Sequence, residues 1–291
     1  MTVWSHVKPA GRLAGVPGAQ RVSTRNSRFQ QWEALLGNRA KRQRSGEFLV
    51  QGVRPISLAV QHRWPIRALL YPDGVQLSGW ARQTLDQVQA SQVAVSPELM
   101  HELGGKTEGL PELLAVAALP PDDLARIPAD QRLLAVVLDR PASPGNIGTT
   151  IRSADAFGAS GVIITGHAAD VYDPRAVRAS TGSLFSLPVV RVPSHGPVLD
   201  WIAAIRAGGI DARLAGTDER GQRQLAQYDF SQPTVAVVGN ETAGLSTAWR
   251  DACDDTLRIP MSGSASSLNA AAAASIVLYQ AALQRGTGRS G

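Results

Sequence analysis

Cysteine, lysine and long apolar runs are all scarce in this chain of 291 residues. A single cysteine, Cys253, excludes an internal disulfide and a metal site built from cysteines, and the five histidines lack the spacing of metal ligands. No apolar run approaches the roughly 20 residues that cross a membrane, and the basic N-terminus lacks the apolar core of a signal peptide. We therefore expect a cytoplasmic protein with no metal and no membrane partner.

Arginine supplies nearly all of the positive charge, since only Lys8, Lys41 and Lys106 are lysines among 29 basic residues. The first 50 residues carry nine basic side chains and two acidic ones, which gives this segment a net charge of +7. Since the whole chain has a net charge of +5, the remainder has a net charge of −2. Arginine suits bidentate recognition of phosphates and bases, which indicates a nucleic-acid partner. Charge alone leaves open a solvated helix face. The candidate contacts are Arg25, Arg28, Arg39, Lys41, Arg42 and Arg44.

Strands and helices alternate along most of the chain, which predicts an α/β protein. We predict a flexible basic arm over residues 1–24, a smaller α/β domain over 25–118, a Pro-rich linker over 119–130 and a second α/β domain over 131–291. In the second domain, a buried strand at 133–138, a helix capped by Asn146 and a strand at 161–165 form a βαβ unit of a parallel sheet.

The stretch from 233 to 284 combines a buried strand, a polar turn, a short strand, a Ser-rich loop and an Ala-rich helix. Apolar residues line one face of that helix, and its other faces are mostly alanine, so we expect the helix to be enclosed. The residues of the apolar face are Leu268, Ala272, Ile276, Tyr279 and Leu283.

Polar residues gather where these strands end or helices begin, and ligands of open α/β sheets bind at such places. Each residue also has a purely structural interpretation. Asn146 can be a cap and Arg152 a partner of Asp155 three residues on, Glu241 can be a turn residue, and Ser267 and Asn269 can be caps. The glycines form no dinucleotide fingerprint after a strand, which disfavours a nicotinamide oxidoreductase.

Three ordered motifs resemble those of the SpoU (TrmH-type) RNA 2'-O-ribose methyltransferases of the SPOUT superfamily. They are Asn146-x-Gly-x-x-x-Arg152, the run Val-Gly-Asn-Glu-Thr-Ala-Gly-Leu-Ser at 238–246, and the run Ile-Pro-Met-Ser-Gly-Ser-Ala-Ser-Ser-Leu-Asn at 259–269. The run Arg-Ser-Gly-Glu-Phe-Leu-Val-Gln-Gly at 44–52 looks like the start of that family's ribosomal-protein-like RNA-binding domain. The resemblance covers about residues 24 to 285.

The resemblance implies a C-terminal domain with a deep trefoil knot, a homodimer, and S-adenosylmethionine as methyl donor without a metal. It implies a catalytic group of Arg152, Asn146, Glu241, Ser267 and Asn269. It also implies that the donor is held by Thr217, Gly239, Asn240, Ile259, Met261 and Leu268. The basic residues of the N-terminal domain would then contact RNA.

Within the family, the runs at 25–39 and 167–174 look most like the avilamycin-resistance methyltransferases of ribosomal RNA. That likeness implies methylation of a uridine in 23S ribosomal RNA and resistance to an orthosomycin antibiotic. Two alternatives stay open. One is a housekeeping methyltransferase of transfer or ribosomal RNA, and the other is a non-catalytic RNA-binding or ribosome-assembly factor on the same fold.

Overall fold

The structure is a computed structural model that describes residues 20–105, 109–264 and 266–286. The N-terminal domain contains β1 (Gln20–Val22), α1 (Ser27–Gly37), α2 (Arg39–Ser45), β2 (Glu47–Gln51), α3 (Val53–Gln61), β3 (Ile66–Pro72), α4 (Gly79–Gln87), β4 (Ser91–Val95), α5 (Pro97–Gly104) and β5 (Leu114–Ala118). Its five strands form one mixed sheet in the order β1-β4-β3-β5-β2. Strand β5 runs antiparallel to both neighbours, and the other pairs are parallel.

The two strands β1 and β5 were not expected from the sequence. Strand β1 pairs with β4, with Gln20 opposite Val93, so the predicted flexible arm is wrong for residues 20–22. Its first 19 residues lie outside the described residues. Only Val22 of β1 is buried, and β5 has a single β-branched residue, so neither strand carries the usual propensity signal.

The C-terminal domain is built on a seven-stranded sheet in which every neighbouring pair is parallel. Its elements are β6 (Leu134–Asp139), α6 (Pro144–Ala156), β7 (Gly161–Thr165), α7 (Pro174–Ala179), β8 (Val189–Val192), α8 (Gly196–Ala207), β9 (Arg213–Thr217), β10 (Arg223–Gln224), β11 (Thr234–Val238), α9 (Thr247–Ala252), β12 (Asp255–Arg258) and α10 (Ala270–Gln284). The strand order is β10-β12-β9-β11-β6-β7-β8. The predicted α/β class and parallel sheet are confirmed, and the trefoil knot stays a prediction.

The segment predicted as a linker is packed against the C-terminal domain. Ile127 is buried, with 2% of its surface exposed. Asp122 accepts hydrogen bonds from the guanidinium of Arg191, at 2.7 Å from Nη2 and 3.0 Å from Nε. Arg126 donates to the carbonyl of Val189 at 3.1 Å. The connection between the domains is therefore attached to β8, the edge strand of the sheet.

Helix α10 is only half enclosed, which corrects the expectation of a fully buried helix. Its small residues pack inward, among them Ala270, Ala274 and Ala281. The larger residues Tyr279 and Leu283, together with Ile276, leave between 37% and 58% of their surfaces exposed. The error has a physical reason: alanines allow close packing against α6, so the bulkier face is the one turned outward.

A buried ion pair and a cluster of aromatic rings join the two domains. Arg42 of α2 and Asp170 of the C-terminal domain are nearly inaccessible, and Nε and Nη2 of Arg42 lie 2.8 and 2.7 Å from Oδ2 of Asp170. The Phe48 ring lies 4.8 Å from that of Tyr172 and 6.3 Å from that of Phe185. The position of the N-terminal domain is therefore fixed by desolvated contacts to the sheet domain.

We expect Asp170→Ala to lower the free energy of unfolding by about 3–5 kcal/mol, because it leaves a buried guanidinium without its partner. Urea denaturation measures the change. The exposed pair of Asp211 and Arg213 provides the control, and Asp211→Ala should cost about 1 kcal/mol or less. Equal losses in the two variants would contradict a special role for the buried pair.

Candidate active site

Three segments that are distant in the sequence meet at the carboxyl edge of the parallel sheet. They are the loop after β6, the loop after β11 and the start of α10. Strands β6 and β11 are neighbours, with Leu138 opposite Val238, so their carboxyl ends lie side by side. This edge is where open α/β sheets bind their ligands.

The first turn of α6 leaves the side chain of Asn146 free for the site. Ser143, not Asn146, is the N-cap, because its Oγ accepts the backbone N–H of Asn146 at 3.3 Å. Pro144 occupies the first turn, where its missing N–H is tolerated. The predicted cap was therefore wrong by three residues, since Ser143 followed by Pro144 is the stronger cap signal. The Asn146 amide can bond elsewhere.

A chain of side-chain hydrogen bonds joins Asn269, Asn146 and Glu241. Nδ2 of Asn269 donates to Oδ1 of Asn146 at 3.0 Å, and Nδ2 of Asn146 donates to Oε1 of Glu241 at 2.9 Å. The other carboxylate oxygen of Glu241 accepts the backbone N–H of Ala142 at 3.1 Å. Three of the five predicted catalytic residues are thus in direct contact.

The orientation of both amides follows from the groups at the two ends of this chain. Oδ1 of Asn269 caps α10 by accepting the N–H groups of Ala271 and Ala272, so its Nδ2 must face Asn146. An ionised Glu241 can only accept hydrogen bonds, so Asn146 must present its Nδ2 to the carboxylate. An amide nitrogen carries two hydrogens. Each asparagine therefore keeps one N–H for another partner.

Glu241 is held in its ionised form. Partial burial would raise its pKa, but the hydrogen bonds from Asn146 and from the backbone N–H of Ala142 outweigh burial and keep the pKa below its usual value. A lowered pKa makes the carboxylate a weak base. Glu241 is therefore better suited to orienting Asn146 than to removing a proton from a substrate.

The loop after β11 is fixed by Asn240 and Gly239. Nδ2 of Asn240 donates to the carbonyl of Arg140 at 2.7 Å, and its Oδ1 accepts the N–H groups of Thr242 and Ala243. A Cβ atom at Gly239 would lie 2.3 Å from the carbonyl carbon of Gly244, so this close approach requires glycine. The loop thereby holds Glu241 next to the first turn of α6.

The pair Asp139 and Arg140 belongs to the same edge and was missed in the sequence. Asp139 is 3% exposed, and its carboxylate accepts hydrogen bonds from Nε and Nη2 of Arg140 at 3.1 and 3.0 Å. It also accepts the N–H of Ser246 at 3.3 Å. Arg140 has a left-handed backbone, with φ of 51°. The sequence pattern that could have identified the pair is the carboxylate of Asp139 at the last position of the buried strand β6.

A cleft of about 900 Å³ opens beside this network, between the loops that follow β9, β11 and β12. Ser267 and Glu241 line its rim. Two apolar side chains in its wall, Met261 and Leu268, are 39% and 37% exposed. All six residues predicted to hold the methyl donor lie in this wall: Thr217, Gly239, Asn240, Ile259, Met261 and Leu268. Their role in binding stays a prediction.

Arg152 and Ser267 are the two predicted catalytic residues outside the network, and of these only Ser267 lines the adjacent cleft. Arg152 is exposed on α6, about two turns after Asn146. The alternative of an ion pair with Asp155 is not found either, because within the described residues Arg152 makes no ion pair. Asp155 instead accepts a hydrogen bond from Ser183 at 2.7 Å. Arg152 is therefore available to a partner molecule.

The basic residues of α2 divide into buried and exposed groups. Arg42 is buried against Asp170, so the prediction that it contacts RNA is wrong. The helix turns this one arginine toward the other domain, which a charge count does not reveal. Arg39 is half-buried and donates to the carbonyl of Ala168 at 2.6 Å. Lys41 and Arg44 are exposed, and contact with RNA stays a prediction for them.

The two remaining candidates lie at the start of α1, where Arg25 precedes the helix and Arg28 is in its first turn. Arg25 forms ion pairs with Glu33 and Glu102. Arg28 donates to Gln20 and to Ser91. These surface contacts are weak, so both guanidinium groups stay accessible to a phosphate.

No group of three His, Cys, Asp or Glu side chains suited to a metal ion occurs in residues 20–105, 109–264 and 266–286. Over the same ranges, no helix combines the length and apolar character required to span a bilayer.

We expect Asn146→Ala to raise the pKa of Glu241, because the substitution removes the hydrogen bond that stabilises the carboxylate. Carbon-13 NMR titration of the glutamate carboxyl groups measures this pKa.

Since the pKa of Glu241 is lowered in the folded state, its stabilising contribution is present above the usual glutamate pKa and is lost as the pH falls through the folded value. The stability difference between the natural chain and Glu241→Gln should therefore shrink with acidification. An unchanged pKa of Glu241 in Asn146→Ala would contradict the hydrogen bond between the two side chains.

The sequence matches two family models, one for each domain. Residues 26–115 match the SpoU L30e-like domain, and residues 133–279 match the SpoU rRNA Methylase family.

Two curated relatives cover nearly the whole chain. The 23S rRNA (uridine(2479)-2'-O)-methyltransferase of Streptomyces viridochromogenes is 61% identical over 94% of this chain and 96% of its own length. The 23S rRNA (guanosine(2553)-2'-O)-methyltransferase RlmP of Bacillus subtilis is 29% identical over 89% of this chain and 98% of its own.

A solved structure agrees with these relatives. The crystal structure of the SpoU methyltransferase AviRb from Streptomyces viridochromogenes, in complex with AdoMet, superimposes with a TM-score of 0.87 at 62% identity. It covers 91% of this chain and 100% of that one. The chain therefore belongs to the SpoU rRNA methylase family.

Proposed function

We propose that this chain transfers a methyl group from S-adenosylmethionine to the 2'-hydroxyl of a uridine in 23S ribosomal RNA. The observation that carries the proposal is the hydrogen-bonded chain from Asn269 through Asn146 to Glu241, which borders the 900 Å³ cleft. The 61% identity to a uridine 2'-O-methyltransferase supports both the reaction and the substrate.

The cleft fits the methyl donor in size and in chemistry. Small-molecule sites have volumes of about 300–1,000 Å³, and this one has about 900 Å³. Ile259, Met261 and Leu268 offer apolar contacts to a purine ring. The hydroxyl oxygen of Thr217 and the backbone at Gly239 offer hydrogen bonds, and Asn240 fixes the loop that carries Gly239. We assign donor binding to these six residues.

When bound, S-adenosylmethionine supplies a methyl group on a positively charged sulfonium. The chain's own contribution is to hold the acceptor ribose in place, since a fixed approach of two reactants removes much of the entropic barrier. Asn146 and Asn269 each present one N–H in a fixed direction, and the ionised Glu241 keeps Asn146 from rotating. Ser267 adds a hydroxyl at the rim of the cleft.

We assign Arg152 to the RNA backbone next to the target ribose. Arginine does not lose its proton in proteins, so Arg152 is unsuited to act as a base. Its exposed guanidinium can form two parallel hydrogen bonds to a phosphate. In this role Arg152 orients the target nucleotide.

We expect the natural chain to transfer label from S-adenosylmethionine to the ribose of a uridine in 23S ribosomal RNA, and Arg152→Ala to reduce transfer by at least about 100-fold. Donor affinity, measured by calorimetry, should stay within about twofold, because Arg152 lies outside the cleft. Arg82→Ala, an exposed substitution on α4, is the matched control and should transfer normally.

The same assay distinguishes the alternatives. Label confined to transfer RNA would favour a housekeeping enzyme, and RNA binding without label would favour a non-catalytic assembly factor. Loss of donor affinity in Arg152→Ala would contradict the role of that residue.

We further propose that the modification confers resistance to an orthosomycin such as avilamycin, which the likeness of the runs at 25–39 and 167–174 supports. A drug-sensitive strain that expresses the chain should then survive the antibiotic.

We also propose that the chain acts as a homodimer through the exposed face of α10. Ile276, Tyr279 and Leu283 are spaced three and four residues apart, so they form one apolar stripe. Arg152 lies on α6, the helix against which α10 packs. A second copy seated on this stripe would therefore also approach Arg152, which explains why one chain leaves that residue outside the network.

We expect the double substitution Tyr279→Arg and Leu283→Arg to convert a dimer to a monomer, because two charges would be buried at the contact. Sedimentation equilibrium measures the mass. The pair Arg82→Glu and Gln83→Glu on the exposed side of α4 is the control and should leave the mass unchanged. A natural chain that sediments as a monomer at micromolar concentration would contradict the homodimer.

A further inference from the structure

A second cleft, of about 430 Å³, lies where the two domains meet. Helix α2 of the N-terminal domain contributes Arg39 and Gln43 to its wall, and the loops after β7 and β8 contribute Ala168 and Pro193. Arg191, at the end of β8, completes the rim. The cleft thus lies on the same carboxyl edge of the sheet as the hydrogen-bonded network.

The walls of this cleft are held in position by contacts between the domains. Nη1 of Arg39 donates to the carbonyl of Ala168 at 2.6 Å. One turn further along α2, Arg42 forms the buried ion pair with Asp170. Because neither wall can move without breaking these bonds, the cleft is formed before a ligand binds, which lowers the entropic cost of binding.

The lining of the cleft combines an apolar floor with a cationic rim. Ile164, Ala168 and Val192 are buried apolar residues, and Pro193 extends them. The carboxylate in the lining, Asp122, is neutralised by Arg191. Within the described part of the chain, the Gln43 side chain makes no hydrogen bond, so its donor and acceptor are both available. Such a lining is complementary to an anionic ligand with a flat apolar body and polar edges.

We propose that this cleft binds one unstacked nucleotide of the RNA substrate, close in sequence to the methylated one. The inference rests on the proposed function, since it assumes that RNA is bound at this edge of the sheet. Arg39 contacts the phosphate, the apolar floor receives one face of the base, and the Gln43 amide hydrogen-bonds the edge of the base. Recognition of splayed bases through stacking and edge hydrogen bonds is common for single-stranded RNA.

The spacing between the two sites suits neighbouring nucleotides. The hydrogen-bonded network lies at the ends of β6 and β11, and the second cleft lies at the ends of β7 and β8. Adjacent strands are about 4.8 Å apart, so the two sites are separated by roughly 10 Å. A stacked nucleotide spans about 3.4 Å and an unstacked one spans more, so that distance corresponds to about three nucleotides or fewer. Both domains line the cleft, so it exists only when they are docked.

Arg39→Lys and Gln43→Ala test the site while retaining the net charge. Each should weaken binding of 23S ribosomal RNA by roughly tenfold and raise the KM for RNA similarly, because a bidentate or edge contact is lost. The matched controls Arg82→Lys and Gln83→Ala lie on α4, outside the cleft, and should change neither quantity. The affinity for S-adenosylmethionine should be the same in all four variants. The melting temperature should be the same in Gln43→Ala and the two controls, whereas Arg39→Lys also removes the bond from Nη1 to the carbonyl of Ala168 and should melt slightly lower. The loss of RNA affinity in Gln43→Ala is therefore the one without a structural contribution.

A photoreactive amino acid in place of Gln43 identifies the bound nucleotide. We expect it to crosslink to a nucleotide within about three positions of the methylated uridine, whereas the same group at Gln83 should give no crosslink there. If the natural chain methylates RNA while Arg39→Lys and Gln43→Ala behave as the α4 controls do, the second cleft is not a nucleotide site. Absence of methyl transfer by the natural chain would overturn this inference together with the proposed function.

Discussion

The hydrogen-bonded network of Asn269, Asn146 and Glu241 is the constraint on which the geometry of the site depends. It connects the start of α10, the first turn of α6 and the loop after β11, which lie 95 and 123 residues apart along the chain. An ionised carboxylate at one end and a helix cap at the other leave a single orientation for both amides. The donors that remain are therefore fixed in direction, as preorganised catalysis requires.

The basic residues of α2 lie in opposite environments. Arg42 is buried and joins the domains, whereas Lys41 and Arg44 on the same helix face solvent. The buried residue determines where the exposed ones lie relative to the carboxyl edge of the sheet. Contact of Lys41 and Arg44 with RNA stays a prediction, and the buried pair of Arg42 and Asp170 holds these two residues at a fixed distance from the site.

Much of the fold and of the site could be predicted from local patterns. Continuous apolar runs predicted the parallel strands, and polar residues at strand ends predicted the positions of Asn146, Glu241 and Asn269. The wrong predictions concern features that tertiary contacts determine, such as which face of a helix is buried. Burial of Arg42 and the exposed stripe on α10 depend on the partner that each face meets. The strand β1 has too few residues for a pattern, and Ser143 competed with Asn146 for the same cap. Arg152 is exposed in the single chain, and its contact with a second molecule stays a prediction.

The most direct test of the central claim is a crystal structure of the chain with S-adenosylhomocysteine and an RNA fragment that contains the target uridine. We expect the sulfur to lie in the cleft lined by Gly239 and Leu268. We also expect the target 2'-oxygen within about 2.7–3.2 Å of the amide nitrogen of Asn146 or Asn269, each of which keeps one free hydrogen. A 2'-oxygen that contacts neither amide, with the network intact, would contradict it.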